Sequence, residues 1–218
     1  MTRRRQEQRP RSVLVTGAAD PVGERLVRIL LEDSRISHVL AVSGLPADNM
    51  PFAKSERLTC MQVDISRSRQ VRNLLYGPAR DLGIDCVVHT ALHQSAADEG
   101  IRVHAFNVES TRSIVSLSER HPTIRRLVMR SDGCVYQVQK DLPTLIEEDH
   151  PLNMTGNAPQ WVRDRIEADV TACTRMGLMP DVEIIVLRMA EILGQGTGSQ
   201  LFDYLDSPIE IVAGKDTP

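Results

Sequence analysis

SVLVTGAADPVGERLVRILL, residues Ser12 to Leu31, decides how the rest of the chain is read. A short apolar run at Val13-Leu14-Val15 breaks at Thr16-Gly17. It resumes as a helix-period pattern through Val22, Leu26, Ile29 and Leu30. Strand, glycine turn and helix, in that order, open a dinucleotide-binding unit. Gly17 permits the tight turn, and Gly23 lets the helix pack close on the sheet. The middle position, where a glycine normally lets backbone approach a pyrophosphate, is Asp20. Asp followed by Pro is also a strong helix start, with Asp20 as N-cap and Pro21 at the first helical position. On that reading the Asp20 carboxylate fills the anion site at the helix N-terminus.

Outward from this unit, strands and helices alternate. Further strands are predicted at Val39 to Val42, Leu58 to Val63, Asp85 to His89, Leu127 to Met129 and Glu183 to Leu187. The Asp85 segment is apolar almost throughout, as a parallel strand buried on both faces should be. Ser66 would cap a helix covering Val71, Leu74 and Leu75. A long helix is expected from Ile101 to Arg120, and another from Gln160 to Met176. Residues 44 to 57 and 137 to 159 read as loops by their Pro and polar content, and Leu193 to Pro218 has no clear period. The alternation implies an α/β fold, a Rossmann-like doubly wound parallel sheet with helices on both faces and right-handed crossovers.

A chain of 218 residues is long enough for one sizeable domain with its own core. Aromatic residues make up only 3%, so that core must be built from Val, Ile, Leu, Ala and Met. A net charge of -3 argues against a general nucleic-acid binder. The exception is the start, where Arg3, Arg4, Arg5, Arg9 and Arg11 form a basic arm with no apolar stretch after it, so not a signal peptide. A solvated, disordered arm is the reading, with a phosphate- or partner-binding arm as the alternative. Cys60, Cys86, Cys134 and Cys173 are scattered without C-x-x-C spacing, which fits reduced thiols of a cytoplasmic protein. No apolar run approaches the roughly 20 residues needed to span a bilayer, so no membrane partner is expected.

The order of motifs resembles the extended short-chain dehydrogenase/reductase superfamily, specifically the NAD-dependent epimerase/dehydratase family. VTGAADPVG looks like its nucleotide loop, at Gly17, Ala19, Asp20, Pro21, Val22 and Gly23. Val63-Asp64-Ile65 looks like the acidic segment whose Asp meets the adenine. DCVVHTAL, with Thr90 and Ala91, resembles the strand and loop under the nicotinamide side. Asn107-Val108 followed by Thr111 resembles the helix segment beside the active site. RLVMRSDGCVYQ looks like the strand carrying the catalytic hydroxyl, and VLRMAEILGQG like the strand and loop leading toward substrate. The resemblance runs from Val13 to about Gly214. It implies a basic arm at 1–11, a Rossmann-like NAD(P)-binding domain at 12–192, and a partial substrate-side segment at 193–218.

The departures from that pattern matter as much. Members of the family do hydride chemistry with a Tyr-x-x-x-Lys pair, the Tyr hydroxyl acting as acid/base and the Lys lowering its pKa and holding the ribose. Here those positions are Trp161 and Arg165. An indole N–H has no proton to exchange near pH 7. The position of the assisting Ser/Thr, four residues before Tyr136, is Asp132, with Ser131 its neighbour. A carboxylate there would repel a developing oxyanion. A NAD binder of this kind ends its second strand with Asp or Glu, and Ser43 stands there instead, with no Arg following to meet a 2′-phosphate. Asp20 would also oppose a pyrophosphate. Two unit charges about 5 Å apart at an effective dielectric of about 20 repel by roughly 3 kcal/mol, a few hundredfold in affinity.

Other constellations carry less. His89 and His93 are four apart, with Glu99 and His104 not far on. His89 ends a strand and His93 lies in the loop after it, so the pair does not share a helix face and no metal is expected. Residues 140 to 149 read as a solvated acidic loop, and Asp164, Glu167 and Asp169 as the outer face of a helix. The stripe Val162, Ile166, Val170, Cys173 and the one at Ile114, Val115, Leu117 would serve the core alone, or would pair across the homodimer that the resemblance implies. Taken together, the residues point to a catalytically degenerate binding, regulatory or scaffold protein with weak or absent NAD or NADP binding. The alternative is an active oxidoreductase or epimerase on a small carbonyl or nucleotide sugar, using Asp132, Tyr136 or Ser131. The resemblance further implies a returning strand and a substrate subdomain beyond Val186. The chain would then end where that strand begins, leaving a cleft above Tyr136 and Arg188 open and apolar surface at Leu193, Leu201, Phe202 and Ile209.

Overall fold

The computed structural model describes residues 11–93, 99–139, 145–197 and 199–208. The basic arm up to residue 10, part of the acidic loop at 140–144, and Ile209 with the residues after it lie outside the described residues. Among the described residues the strands are β1 (Ser12–Thr16), β2 (His38–Ser43), β3 (Leu58–Gln62), β4 (Cys86–His89), β5 (Arg126–Asp132) and β6 (Glu183–Met189). They form one sheet in the order β3-β2-β1-β4-β5-β6, every neighbouring pair parallel. The helices are α1 (Pro21–Glu32), α2 (Ser68–Leu74), α3 (Ile101–His104), α4 (Ser110–Ser118), α5 (Gln160–Cys173) and α6 (Gln200–Leu205).

The sheet is buried on both faces because its central strands alternate two apolar sets. Leu14, Leu40, Val87 and Leu127 pack on one side with Val71 of α2, Ile114 of α4 and Ala172 of α5. Val13, Val15, Val39, Ala41 and Cys86 pack on the other with Val27 of α1. A strand period of two sends neighbours to opposite faces, so a strand covered on both must be apolar at every position. Each Val, Leu or Ile among them contributes about 1.5–3 kcal/mol on full burial. The sheet order reverses beside β1, where β2 and β3 lie on one side and β4 to β6 on the other. The carboxyl ends of β1 and β4 therefore flank the crevice where ligands of such sheets bind.

Several local expectations change. The helix expected from Ile101 to Arg120 is interrupted by a π-turn at Ala105–Glu109. The Ser110 hydroxyl donates to the Phe106 carbonyl, and Thr111 Oγ1 donates to the Asn107 carbonyl at 2.9 Å, bonds that compete with the helix ladder. Ser66 does not cap α2. Its hydroxyl donates to Asp64 Oδ1 at 2.5 Å, and Arg67 takes the cap position. Leu75 falls in a second π-turn, Leu75–Ala79, which contains Pro78, a residue with no N–H to give the ladder. The segment without clear period holds α6, capped by Ser199 Oγ, which accepts from Phe202 N at 3.0 Å. Leu193 and Leu201 are exposed and Phe202 is half-buried. No helix among the described residues is long and apolar enough to cross a membrane.

His89 closes β4 inside the core, its Nδ1 2.7 Å from Thr16 Oγ1 and its Nε2 3.4 Å from Ser110 Oγ. Both ring nitrogens thus face hydroxyls, and among the described residues no three His, Cys, Asp or Glu side chains are grouped to hold a metal. Burial pushes the His89 pKa down from 6.5 to about 4. The unfolded chain then binds the extra proton between those values. Stability from the neutral ring is complete above pH 6.5 and is lost as pH falls toward 4, a total of about 3 kcal/mol. Denaturant melts at pH 7 and pH 4 should show that loss, and His89→Gln should lack it. An equal loss in His89→Gln would show that the ring is not held neutral.

Candidate functional site

The turn after β1 is built for close approach. Gly17 has φ +65°, and a Cβ there would lie 2.7 Å from the Ala91 Cα. At Gly23 a Cβ would lie 2.0 Å from the Gly17 carbonyl oxygen, so α1 seats directly on the turn. A side chain at Gly23 would push α1 off the turn, and one at Gly17 would push the turn off the loop after β4. Ala18 N donates to the Val42 carbonyl at 3.0 Å and ties the turn to β2.

Over this turn opens a cavity of about 520 Å³, and six of the residues expected at a cofactor line it: Gly17, Asp20, Ser43, Asp64, Ile65 and Ala91. Ala19, Pro21, Val22, Gly23, Thr90 and Asn107 stand outside its lining. Thr90 is buried, its hydroxyl donating to the Thr16 carbonyl at 2.6 Å. Asn107, in the π-turn, accepts from His93 N at 2.8 Å through its side-chain oxygen and so holds the loop after β4. Gly44, Leu45, Gln62 and Phe106 line the cavity without having been expected. Gln62 and Gly44 had a signal, since the carboxyl ends of the strands on one side of the switch point face the crevice. Phe106 had none, because its place depends on the π-turn.

The charge of this cavity is acidic. Asp20 sits at the N-cap position with Pro21 after it, as expected, yet its side chain makes no cap hydrogen bond. It lines the cavity instead, with Oδ2 3.0 Å from where a Cβ on Gly17 would be. The expected filling of the helix anion site is therefore corrected. Although the residue is exposed at its edge, desolvation by the protein around its carboxyl raises its pKa, against the pull of Arg130 and His93. Asp64 accepts from Ser66 N at 3.1 Å and pairs with Arg67 Nε at 2.9 Å. At the end of β2, Ser43 Oγ accepts from Leu45 N at 3.3 Å, and Gln62 Nε2 donates to the Gly44 carbonyl at 3.0 Å.

A second constellation lies between β5 and α5. Asp132 ends β5, accepting from Cys134 N at 2.9 Å through one oxygen and pairing with Arg165 Nη1 at 2.5 Å through the other. The two side chains are 15% and 3% exposed, so the pair is shielded from solvent. The Arg165 guanidinium also stacks 5.0 Å from the Trp161 ring centre. Its Nε has no partner among the described residues. Beside it, Ser131 Oγ donates to Asp169 Oδ2 at 2.5 Å. Arg188 of β6 grips the same carboxylate through Nε at 3.0 Å and Nη2 at 2.8 Å, and its Nη1 donates to the Tyr136 hydroxyl at 3.1 Å. Burial pushes the Asp169 pKa up, but the bonds from Arg188 and Ser131 outweigh it and hold the group below its usual value.

Asp164 and Asp169 are corrections to the sequence reading. Both are 3% exposed, whereas Glu167 does face solvent and pairs with Arg112 at 3.0 Å. Helix α5 packs against β5 and β6 and also against the α3–α4 helix, so two of its polar faces meet protein. Arg165 and Asp169, one turn apart, face β5. Asp164 Oδ1 lies 2.9 Å from His104 Nδ1 of α3. The apolar stripes are used within the chain: Val162 and Ile166 pack with Val135, and Ile114 and Val115 join the main core. Asp169 was missed as a site residue because charge at helical spacing reads as a solvated face.

A doubly wound parallel sheet with a glycine turn under a cavity at its switch point is a Rossmann-like fold. The chain belongs to the NAD dependent epimerase/dehydratase family, whose model matches residues 13–204. It is 27% identical to the uncharacterized protein Rv0501 of Mycobacterium tuberculosis, over 96% of this chain and 55% of that protein. The chain thus spans about half the length of the curated relatives it matches. Its fold is similar to that of the enzyme WbmH of Bordetella bronchiseptica, solved in complex with NAD+, at a TM-score of 0.72 and 19% identity over 90% of this chain and 62% of that one. It is likewise similar to the yeast methylglyoxal/isovaleraldehyde reductase Gre2, solved with NADPH, at a TM-score of 0.72 and 17% identity over 84% and 58% of the two chains.

The Asp132–Arg165 pair makes a stability prediction. Removing one partner of a buried pair leaves an uncompensated charge and costs about 3–5 kcal/mol, while replacing both by apolar groups of similar size is often near neutral. Asp132→Ala should therefore destabilise by that amount in denaturant melts, and Asp132→Ala with Arg165→Met should recover most of the loss. A single variant within about 1 kcal/mol of the parent would show the pair to be solvated.

Proposed function

We propose that this chain keeps the dinucleotide fold of its family and acts by binding, with hydride transfer lost. The observation that carries the reading is the Asp132–Arg165 ion pair. It joins two positions to which the family resemblance assigns the assisting hydroxyl and the lysine, and Trp161 stands at the third, the acid/base. Arg165 faces an anion and an indole in place of a phenol it would activate. Asp132 is engaged by Arg165 and the Cys134 amide, an arrangement that offers no proton to an oxyanion.

The cavity over Gly17 fits the nucleoside part of NAD or NADP in size and place. Gly17, Ile65 and Ala91 would line such a ligand, and Ser43 and Gln62 would meet its ribose edge. A bound nicotinamide would supply hydride chemistry, but Trp161 would leave the substrate without its proton donor. Asp20 weakens the fit by charge. A second reading, an oxidoreductase or epimerase with Tyr136 as acid/base, draws on the Arg188 bond to the Tyr136 hydroxyl.

A thermal-shift titration with NAD and NADP, followed by assay at the nicotinamide absorbance band, separates the two. The expected result is a small shift and no turnover of sugars, nucleotide sugars or simple carbonyls. Turnover that Tyr136→Phe or Asp132→Asn abolishes would establish the second reading instead. Asp20→Gly should strengthen NAD binding by up to a few hundredfold. Because the Asp20 side chain makes no cap bond, its loss should change stability by only about a few tenths of a kcal/mol. Calorimetry and melts on both proteins check this, and an unchanged affinity would mean that Asp20 does not face the ligand.

A further inference from the structure

Between β5 and α5 lies a second, smaller cavity of about 20 Å³, which shares no lining residue with the one over Gly17. The charged groups that line it are Arg130, Arg165 and Asp169. Arg165 is buried and spends Nη1 on Asp132, but its Nε has no partner among the described residues. A buried N–H on a charged group is costly to leave without an acceptor. Asp169 is already engaged: Oδ1 accepts from Arg188 Nη2 and Cys173, and Oδ2 from Arg188 Nε and Ser131. Burial, and then the charge of Arg165, lower the Arg130 pKa, and the pull of Asp132 and Asp20 does not restore it. Neither of those two carboxylates lines the cavity.

From this arrangement we infer that the cavity between β5 and α5 binds one small monovalent anion of halide size, with Arg165 Nε as its donor and Arg130 as its second cation. The ligand must accept a hydrogen bond, because the group left over is an N–H. It must be small, since about 20 Å³ admits one body of roughly water size and leaves no room for a phosphate. Water meets both conditions, and charge decides between the two. A buried water needs two to four polar partners, whereas Ala168, Ala172, Met129 and Val186 make much of this wall apolar. An anion has no proton to place and is drawn by both guanidiniums. At about 4 Å and an effective dielectric of about 20, one such attraction is worth roughly a thousandfold in affinity. Dehydration of the ion offsets much of that gain, so the expected affinity is millimolar.

Thermal melts of the full chain at constant ionic strength test the inference, with sodium chloride or bromide exchanged for sodium gluconate. Gluconate is monovalent and too large to enter. Either halide should raise the melting temperature saturably, by about 2–5 °C over gluconate with half the effect at millimolar concentration. Ala168→Leu, which fills the space and changes no charge, should melt alike in halide and gluconate. A bromide-soaked crystal read at the bromine absorption edge fixes the position, and decides the matter should that variant not fold. The expected peak touches Arg165 Nε. Equal melting of the parent chain in halide and gluconate, or a halide shift that persists in Ala168→Leu, overturns the inference. So does a bromide crystal with an oxygen of water beside Arg165 Nε and bromine only elsewhere.

Discussion

At Gly23 a single added carbon would meet the Gly17 carbonyl at 2.0 Å, and at Gly17 one would meet the Ala91 backbone at 2.7 Å. These two contacts set the distance between α1, the first strand and the loop after β4, and with it the floor of the cavity. Everything else on that side of the sheet follows from them. The Val42 carbonyl is close enough to accept from Ala18 N, and Asp20 is carried to the cavity rim. A larger residue at either glycine would separate the layers that bury Val13, Val15 and Val27, each of which is at most 2% exposed.

The second organising feature is electrostatic. The interval between β5 and α5 holds the ion pairs Asp132 with Arg165 and Asp169 with Arg188. Each carboxylate is satisfied by its guanidinium and by a neighbouring hydroxyl or amide. A group that activates a reaction must have a proton, or a lone pair, to give to something outside the fold. Here Ser131 gives its proton to Asp169, and Arg165 gives one of its N–H groups to Asp132. These bonds join α5 to the sheet. Buried pairs of this kind add little net stability but cost much to break, which makes the site rigid.

Toward the cavity over Gly17 the lining carboxylates are Asp20 and Asp64; Arg67 pairs with Asp64, and Arg130 and His93 act on Asp20. Toward β5 and α5, Asp132 pairs with Arg165 and Asp169 with Arg188. Asp132 and Arg165 are complementary charges, and removal of either would leave the other uncompensated.

Much of this architecture was legible in the residues alone. The alternation of apolar strands and amphipathic helices, the turn at Gly17 and the seat at Gly23 are local patterns with periods of two and 3.6 residues, and the sequence contains them directly. The residue types at positions 20, 43, 132, 161 and 165, which differ from what the family resemblance implies, are equally plain in the sequence. What only the tertiary structure decided was pairing. Asp132 and Arg165 meet across 33 residues. Asp164 and Asp169 looked like a solvated face because their spacing is that of an outer stripe, yet packing of α5 against both the sheet and the α3–α4 helix buries them. The π-turn at Ala105–Glu109 brings Phe106 to the cavity and Asn107 to the loop at His93, and it arises from hydroxyls competing with the helix ladder. Periodicity states which side of an element is apolar. It carries no information about which polar groups of distant elements are brought within bonding distance, because that depends on how the layers stack.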